Sequence, residues 1–157
     1  MAAVGMLPFL NTFSRPVGGR NVPSDAKIRV FSPVQLPKAV GYSHIGEVTS
    51  GRLVYIAGQV AMDASGKLVG ESDYRAQLRQ VFANLNTALE AAGVSFRNVI
   101  KLNYFIVDRV DRSEFFAYRE VRDQYVDTAN PPVATVIVVR GLFMPEFLVE
   151  IDAIAVV

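Results

Sequence analysis

Two runs rich in β-branched residues make up most of the C-terminal stretch of this sequence. They cover residues 133–139 and 147–157, and the segment between them contains Gly141 and Pro145. β-Branched residues favour strands, whereas glycine and proline favour turns. The pattern therefore predicts that the chain ends in two strands joined by a turn, as a hairpin.

The second of these predicted strands carries two acids on one face. Because side chains alternate along a strand, Glu150 and Asp152 share a side with apolar neighbours and lie roughly 6.6 Å apart. A carboxylate among apolar residues is desolvated or needs a partner. Both residues are therefore candidates for chemistry, with Asp152 interpreted as structural. The alternative is that the pair lines a strand end, a solvated sheet face or a subunit contact.

The composition excludes several classes of function. The chain has 157 residues, enough for one domain, and its 16 basic and 15 acidic residues provide no electrostatic footprint for nucleic acid or an anionic membrane. The absence of cysteine excludes thiolate chemistry, and the single histidine, His44, excludes a histidine-rich metal site within one chain. No apolar run reaches the roughly 18 residues of a membrane span. A small molecule or another protein is the expected partner.

Hydrophobic periodicity places the remaining elements. Ser72 is the predicted N-cap of a helix that runs to about Ala92, where Gly93 stops it. Further strands are predicted at residues 27–32, 52–59 and 99–107, and a second helix at 113–126. This order predicts an α+β domain in which a mixed sheet carries both helices on one face.

The opposite face of that sheet has no predicted element to cover it. Hydrophobic residues make up 51% of the chain. A bare face of valine, isoleucine and leucine would promote aggregation, so we expect closed oligomerisation to bury it.

The N-terminal segment reads as an appendage to this domain. Residues 1–24 contain two arginines and no acid, and glycine and proline interrupt any periodicity. We interpret residues 1–26 as a flexible extension or tag remnant and residues 27–157 as the domain. The expected location is cytoplasmic, or mitochondrial if the extension is a targeting segment.

A series of short segments from about residue 38 to the C-terminus resembles the RidA/YjgF proteins, a family once named for an endoribonuclease. The segments are Gly41-Tyr-Ser-His, Leu53-Val-Tyr-Ile-Ala-Gly-Gln, Asn84-Leu, Leu89-Glu-Ala-Ala-Gly, Val99-Ile-Lys-Leu-Asn-Tyr-Phe, Asn130-Pro-Pro and Val149-Glu-Ile-Asp-Ala-Ile-Ala-Val. The resemblance implies a chorismate-mutase-like fold with a six-stranded mixed sheet and two helices on one face. It also implies a homotrimer whose sheets surround a central barrel, with three clefts between subunits and no metal or cofactor.

The resemblance also implies a ligand site in each cleft. Tyr42 matches an aromatic residue near the family's site, Gly58 matches a glycine on the cleft floor, and Glu150 matches the acid that positions or activates water. His44, two residues after Tyr42, is a further candidate for the site. The alternative for His44 is a hydrogen-bonding surface residue.

One departure from the family pattern changes the expected substrate. Deaminating members carry an arginine that clamps a substrate carboxylate two residues after a proline, and here Pro132 is followed at that spacing by Ala134. A charge-assisted contact of that kind contributes about 1.5–3 kcal/mol. Arg140 lies about 20 Å further along an extended strand, so only an arginine of a neighbouring subunit could replace the clamp. Tyr118 and Ala57 also stand where many members have polar residues, which makes the predicted pocket less polar. The alternative for Tyr42 and Tyr118 is that they are aromatic residues of the core or of an interface.

Two functions fit these residues. In the first, Glu150 holds a water that attacks the carbon of an imine, enamine or amide-like substrate other than the usual 2-iminobutanoate or 2-iminopropanoate. In the alternative, the inter-subunit cleft binds a small molecule or regulates a partner without catalysis. RNA cleavage, suggested by the older family name, is disfavoured by the near-neutral charge.

Overall fold

The computed structural model describes residues 27–157, so the predicted extension at 1–26 lies outside the described residues. Eight main elements follow one another in the chain. They are β1 (Lys27–Phe31), β2 (Ile45–Ser50), β3 (Leu53–Gln59), α1 (Tyr74–Ala91), β4 (Val99–Val107), α2 (Ala117–Arg122), β5 (Val133–Val139) and β6 (Val149–Val156), with a short 3₁₀ helix at Phe96–Asn98. The predicted α+β class is confirmed.

The strands form two sheets. β3, β6, β4 and β5 form a four-stranded mixed sheet in that order, and β1 pairs with β2 in a separate antiparallel ribbon. The six expected strands are therefore present, but they are divided between these two sheets. Sequence reasoning did not place β2, because its residues Gly46, Glu47, Thr49 and Ser50 give no apolar alternation.

The predicted terminal hairpin is wrong. β5 pairs in parallel with β4, and β6 pairs antiparallel with both β4 and β3, so β4 lies between the last two strands. The physical reason is the composition of β4. Six of its nine residues are buried. A strand this apolar buries the most hydrophobic surface when it lies in the centre of a sheet.

Both helices start and stop for local reasons. The Asp73 side chain accepts a hydrogen bond from the amide of Ala76 at 2.9 Å and caps α1, one residue after the predicted cap, and Gly93 follows the helix with φ +77°. α2 is shorter than the predicted 113–126. Asp111 accepts bonds from both the amide and the hydroxyl of Ser113, and this local turn competes with an earlier helix start.

The helices and one face of the four-stranded sheet enclose the core. Its largest fully buried side chains include Leu78, Phe82, Leu85, Leu89, Leu102, Tyr104, Ile106 and Ile151. On the other side of the sheet, Leu53, Tyr55 and Ile137 stay 45%, 71% and 41% exposed within the chain. We call this side of the sheet the open face. Its exposure matches the face that the sequence left without a covering element.

Gln77 joins two loops to this core, and replacing it by leucine is expected to destabilise the fold by at least about 2 kcal/mol. The fully buried amide donates to the carbonyls of Gly70 and Glu146 and accepts from the amide of Leu148 at 2.8 Å. Leucine leaves these main-chain groups buried without partners. The urea midpoint measures the loss, and Gln124→Leu on the surface of the same protein is the control. Equal midpoints for the two variants would contradict the role assigned to Gln77.

Candidate functional site

Glu150 and Asp152 lie on the open face of β6. The residues that alternate with them, Val149, Ile151 and Ala153, are buried under the helices, whereas both acids are half-buried on the other side. The shared face predicted from the sequence is therefore observed. In the neighbouring strand β4, Phe105 pairs with Glu150 and Asn103 pairs with Asp152.

Gly58 makes room for the Glu150 side chain. The pairing of β3 with β6 is irregular between Ile56 and Gln59, and Ala57 and Gly58 occupy this irregularity. A Cβ atom at position 58 would overlap Oε1 of Glu150 and lie 2.8 Å from its Cδ. The Glu150 side chain can thus lie against the main chain of β3 only because residue 58 has no side chain. Ala57 is exposed beside this contact.

The electrostatic surroundings of the two acids differ. Burial raises the pKa of Glu150, and the nearby charge of Asp152 raises that pKa further. Asp152 accepts a hydrogen bond from the Asn103 amide at 2.8 Å. Within residues 27–157, Glu150 accepts no hydrogen bond from protein, so its carboxylate is available to a water or a ligand. Of the two acids, Glu150 is the one suited to chemistry and Asp152 is the one held in place.

Tyr42 and His44 form a pair at the start of β5. Their rings meet edge to face with centroids 5.2 Å apart, and Tyr42 Oη lies 3.5 Å from His44 Nε2. Ser43, between them, bridges to Val133, and its hydroxyl donates to the carbonyl of Pro131. In β5, Val133 lies four residues before Ile137, and Ile137 is level with Glu150. The end of β5 that carries Tyr42 and His44 is therefore about 13 Å along the strand from the level of Glu150.

The structure places two predicted ligand contacts on the helix side of the sheet. Tyr118 is 6% exposed and packs its ring 5.0 Å from that of Tyr104 in the core. Ala134 pairs with the buried Leu102 and also packs against the core. Within one chain neither residue shares the open face with Glu150. Tyr118 lies in the core, which was its alternative interpretation, and a contact of either residue with a cleft between subunits stays a prediction.

Sequence reasoning missed three polar residues on the open face. Lys101, Asn103 and Thr135 lie on the same side as Glu150, and Lys101 Nζ donates to Thr135 Oγ1 at 2.5 Å. A signal for two of them was present. Lys101 and Asn103 are the polar residues of an otherwise apolar strand, and their spacing of two puts them on one face.

Comparison with known proteins places the chain in a family. A family model described as Endoribonuclease L-PSP matches residues 34–157. The chain is 36% identical over 123 residues to Protein DfrA of Myxococcus xanthus, covering 78% of this chain and 90% of that protein. It is 37% identical over 131 residues to the 2-iminobutanoate/2-iminopropanoate deaminase of Capra hircus, covering 82% of this chain and 89% of the relative. The chain belongs to the RidA/YjgF family.

Solved structures agree with this assignment. The Rid family protein YyfB from Yersinia pestis superposes with a TM-score of 0.73 at 36% identity, over 83% of this chain and 98% of that one. RidA from Psychrobacter sp. PAMC 21119 gives a TM-score of 0.59 at 31% identity, over 82% and 99% of the two chains. The RidA-type fold expected from the sequence is confirmed, and the relatives carry both deaminase and endoribonuclease names.

Two prolines, Pro131 and Pro132, precede β5. The residue two places after Pro132 is Ala134, and the residue two places after Pro131 is Val133, which pairs with Lys101 and lies on the open face. Both residues are uncharged, so the arginine is missing by either count. Arg140 does not replace it, because its side chain is 96% exposed beyond the end of β5 and pairs with Asp108.

The described part of this RidA/YjgF chain shows neither a membrane-spanning helix nor a metal-binding cluster. No helix within residues 27–157 combines the length and the hydrophobicity needed to cross a membrane. The same residues contain no group of three or more histidine, aspartate or glutamate side chains that could hold a metal ion.

Proposed function

We propose that this RidA/YjgF protein is a homotrimer that hydrolyses a C=N or amide-like bond in clefts between its subunits. Glu150 holds the attacking water in each cleft. The observation that carries the proposal is the contact between Glu150 and Gly58. It holds a half-buried carboxylate on the open face, where that carboxylate accepts no hydrogen bond from residues 27–157. The deaminase names of relatives such as the Capra hircus protein support the same class of reaction.

The chemistry follows from the state of the Glu150 carboxylate. When ionised, it accepts a proton from water as the water oxygen bonds to the imine carbon. The protonated acid then gives this proton to nitrogen, which completes a carbinolamine. Glu150 next takes the proton of the carbinolamine hydroxyl and passes it to nitrogen as the C–N bond breaks and the C=O bond forms, so that a carbonyl compound and ammonia leave. Burial raises the pKa of Glu150, which makes the carboxylate a stronger base than an exposed glutamate and the acid a donor closer to neutral pH.

The open face supports the homotrimer. Leu53, Tyr55 and Ile137 expose apolar surface on the same face as Glu150 in the isolated chain. Three copies packed face to face would bury these side chains and exclude water from the surroundings of the acid. The clefts would then lie between neighbouring sheets, as the family resemblance implies.

Ligand binding without catalysis is the second candidate function. It is favoured by one observation, the uncharged Val133 and Ala134 where deaminating relatives clamp a carboxylate. A ligand that raises the melting temperature without being converted would support this function over hydrolysis. We do not propose RNA cleavage, because 16 basic and 15 acidic residues supply no attraction for a polyanion.

Replacing Glu150 by glutamine tests the hydrolytic function directly. The amide keeps the shape of the side chain but accepts no proton from water, so kcat is expected to fall by about 10²- to 10⁴-fold. Ammonia release from 2-iminopropanoate generated in place, and from an uncharged imine, measures the rate. Equal rates for the variant and the wild type would remove Glu150 from the mechanism.

Asp152→Asn is the matched control for this experiment. It removes the charge that adds to the raised Glu150 pKa, so the acid limb of the pH–rate profile is expected to move to lower pH while activity persists at neutral pH. The direction follows from the base being active when ionised. A lower pKa keeps it ionised to a lower pH. An unchanged acid limb would show that a different group sets the pH dependence.

A further inference from the structure

We infer that Lys101, together with Thr135, binds the anionic end of the ligand and sets the specificity of the Glu150 site. The inference rests on the proposed function, because it assigns the charged group that this site selects. Sequence comparison alone suggests a site with an acid and no cation. The structure supplies a cation from β4 instead of β5.

The sheet register puts Lys101 where it can act on the same ligand as Glu150. Lys101 pairs with Val133 on one side and with Ile154 on the other, and Glu150 pairs with Phe105 four residues further along β4. Residues four apart in a strand face the same way. Lys101 therefore stands on the open face, beside Val133 and on the same side of the sheet as Glu150.

The Lys101 ammonium has donors left for a ligand. Its Nζ donates to Thr135 Oγ1 at 2.5 Å, and within residues 27–157 it makes no ion pair. Arg75, Arg122 and Arg140, by contrast, are each paired with an acid. An ammonium has three N–H donors, and a hydroxyl that accepts from it still has its own proton to donate. Lys101 and Thr135 thus offer a charged and a neutral donor side by side.

Asp152 lies on the same face as Lys101 and bonds to Asn103 instead of forming an ion pair with the lysine. Asp152 and Lys101 share the open face one step apart in the register, but the Asn103 amide donates to Asp152 at 2.8 Å. The carboxylate of Asp152 is thereby held by a neutral partner. The positive charge of Lys101 remains available to a ligand.

The spacing of the two ends fits a small ligand. Thr135 lies two residues before Ile137, which is level with Glu150 two strands away. With a rise of about 3.3 Å per residue and about 4.8 Å between strands, the two α-carbons are roughly 12 Å apart. Asn103 and Phe105 of β4 lie between these two positions in the register. This leaves room for a small carboxylate with its reactive carbon, and the attacking water, at Glu150.

Replacing Lys101 by methionine tests the inference. For 2-iminopropanoate we expect KM to rise roughly 10- to 150-fold with little change in kcat, the range of a lost charge-assisted contact. For the uncharged amide of the same imine, KM is expected to stay unchanged. Lys101→Arg should retain the preference for the carboxylate, and Thr135→Val should show a smaller rise in KM. Lys67→Met, in an exposed turn, is the control, and the melting temperature reports folding of each variant.

Each outcome separates this inference from the proposed function. If wild type and Lys101→Met hydrolyse both substrates, and each substrate has the same KM with the two proteins, the inference is overturned and the role of Glu150 stands. If the wild type hydrolyses neither substrate, the proposed function fails, and calorimetric titration with pyruvate decides the inference alone. Binding that is lost in Lys101→Met and kept in Lys67→Met supports it, whereas absent or unaltered binding overturns it.

Discussion

Alanine in place of Gly58 is expected to abolish measurable turnover and to lower the free energy of unfolding by about 1–3 kcal/mol. The added Cβ would overlap Oε1 of Glu150 and lie 2.8 Å from Cδ, so the acid must leave its position over β3. Backbone strain does not contribute, because Gly58 is not among the glycines with a left-handed φ. The rate of ammonia release and the urea midpoint measure the two effects.

A double variant tells steric displacement from a general weakening of β3. In the Glu150→Ala background the space beside residue 58 is empty, so adding Gly58→Ala is expected to cost little stability while activity stays absent. The coupling energy in this double-mutant cycle should approach the whole cost of Gly58→Ala alone. If Gly58→Ala destabilises both backgrounds equally, the glycine serves the strand and not the acid.

The contact between Gly58 and Glu150 shows how much of the site the sequence could provide. Alternation in the last strand predicts that Glu150 and Asp152 share a face, and the structure agrees. The residues of other strands that lie beside this face cannot be predicted from alternation. Gly58 is brought to Glu150 by the pairing of β3 with β6, which are distant in sequence, and only the family resemblance indicated that both belong to one cleft.

The misplaced elements have physical causes of the same kind. Residues 133–139 are apolar at almost every position, so alternation does not show which side chains face the helices, and only the structure shows that Ala134 packs on the helix side. The family resemblance assigns Tyr118 to the pocket, with a core or interface position as the alternative, and the Tyr118 ring packs on Tyr104 in the core. Strand order and facing are tertiary properties that local pattern leaves open.

The open face provides the prediction with the largest effect on assembly. Ile137→Asp is expected to convert the trimer into monomers, because Ile137 is 41% exposed at the level of Glu150 and would be buried between subunits. Each new carboxylate would join Glu150 and Asp152 on a face that three copies share. Desolvating these like charges opposes association, and the apolar burial that drives it is lost as well.

Light scattering during gel filtration measures this change. The wild type is expected at three times the 17.2 kDa chain mass and the Ile137→Asp variant at the chain mass itself. Val34→Asp is the control, since Val34 is 93% exposed in the loop between β1 and β2 and an acid there should leave the trimer intact. Because the clefts exist only between subunits in the proposed assembly, the monomeric variant should also lose turnover. The open face is not the interface if the wild type is monomeric at micromolar concentration, or if the Ile137→Asp variant is a trimer with full activity. Glu150 would then work, if at all, on a surface open to water.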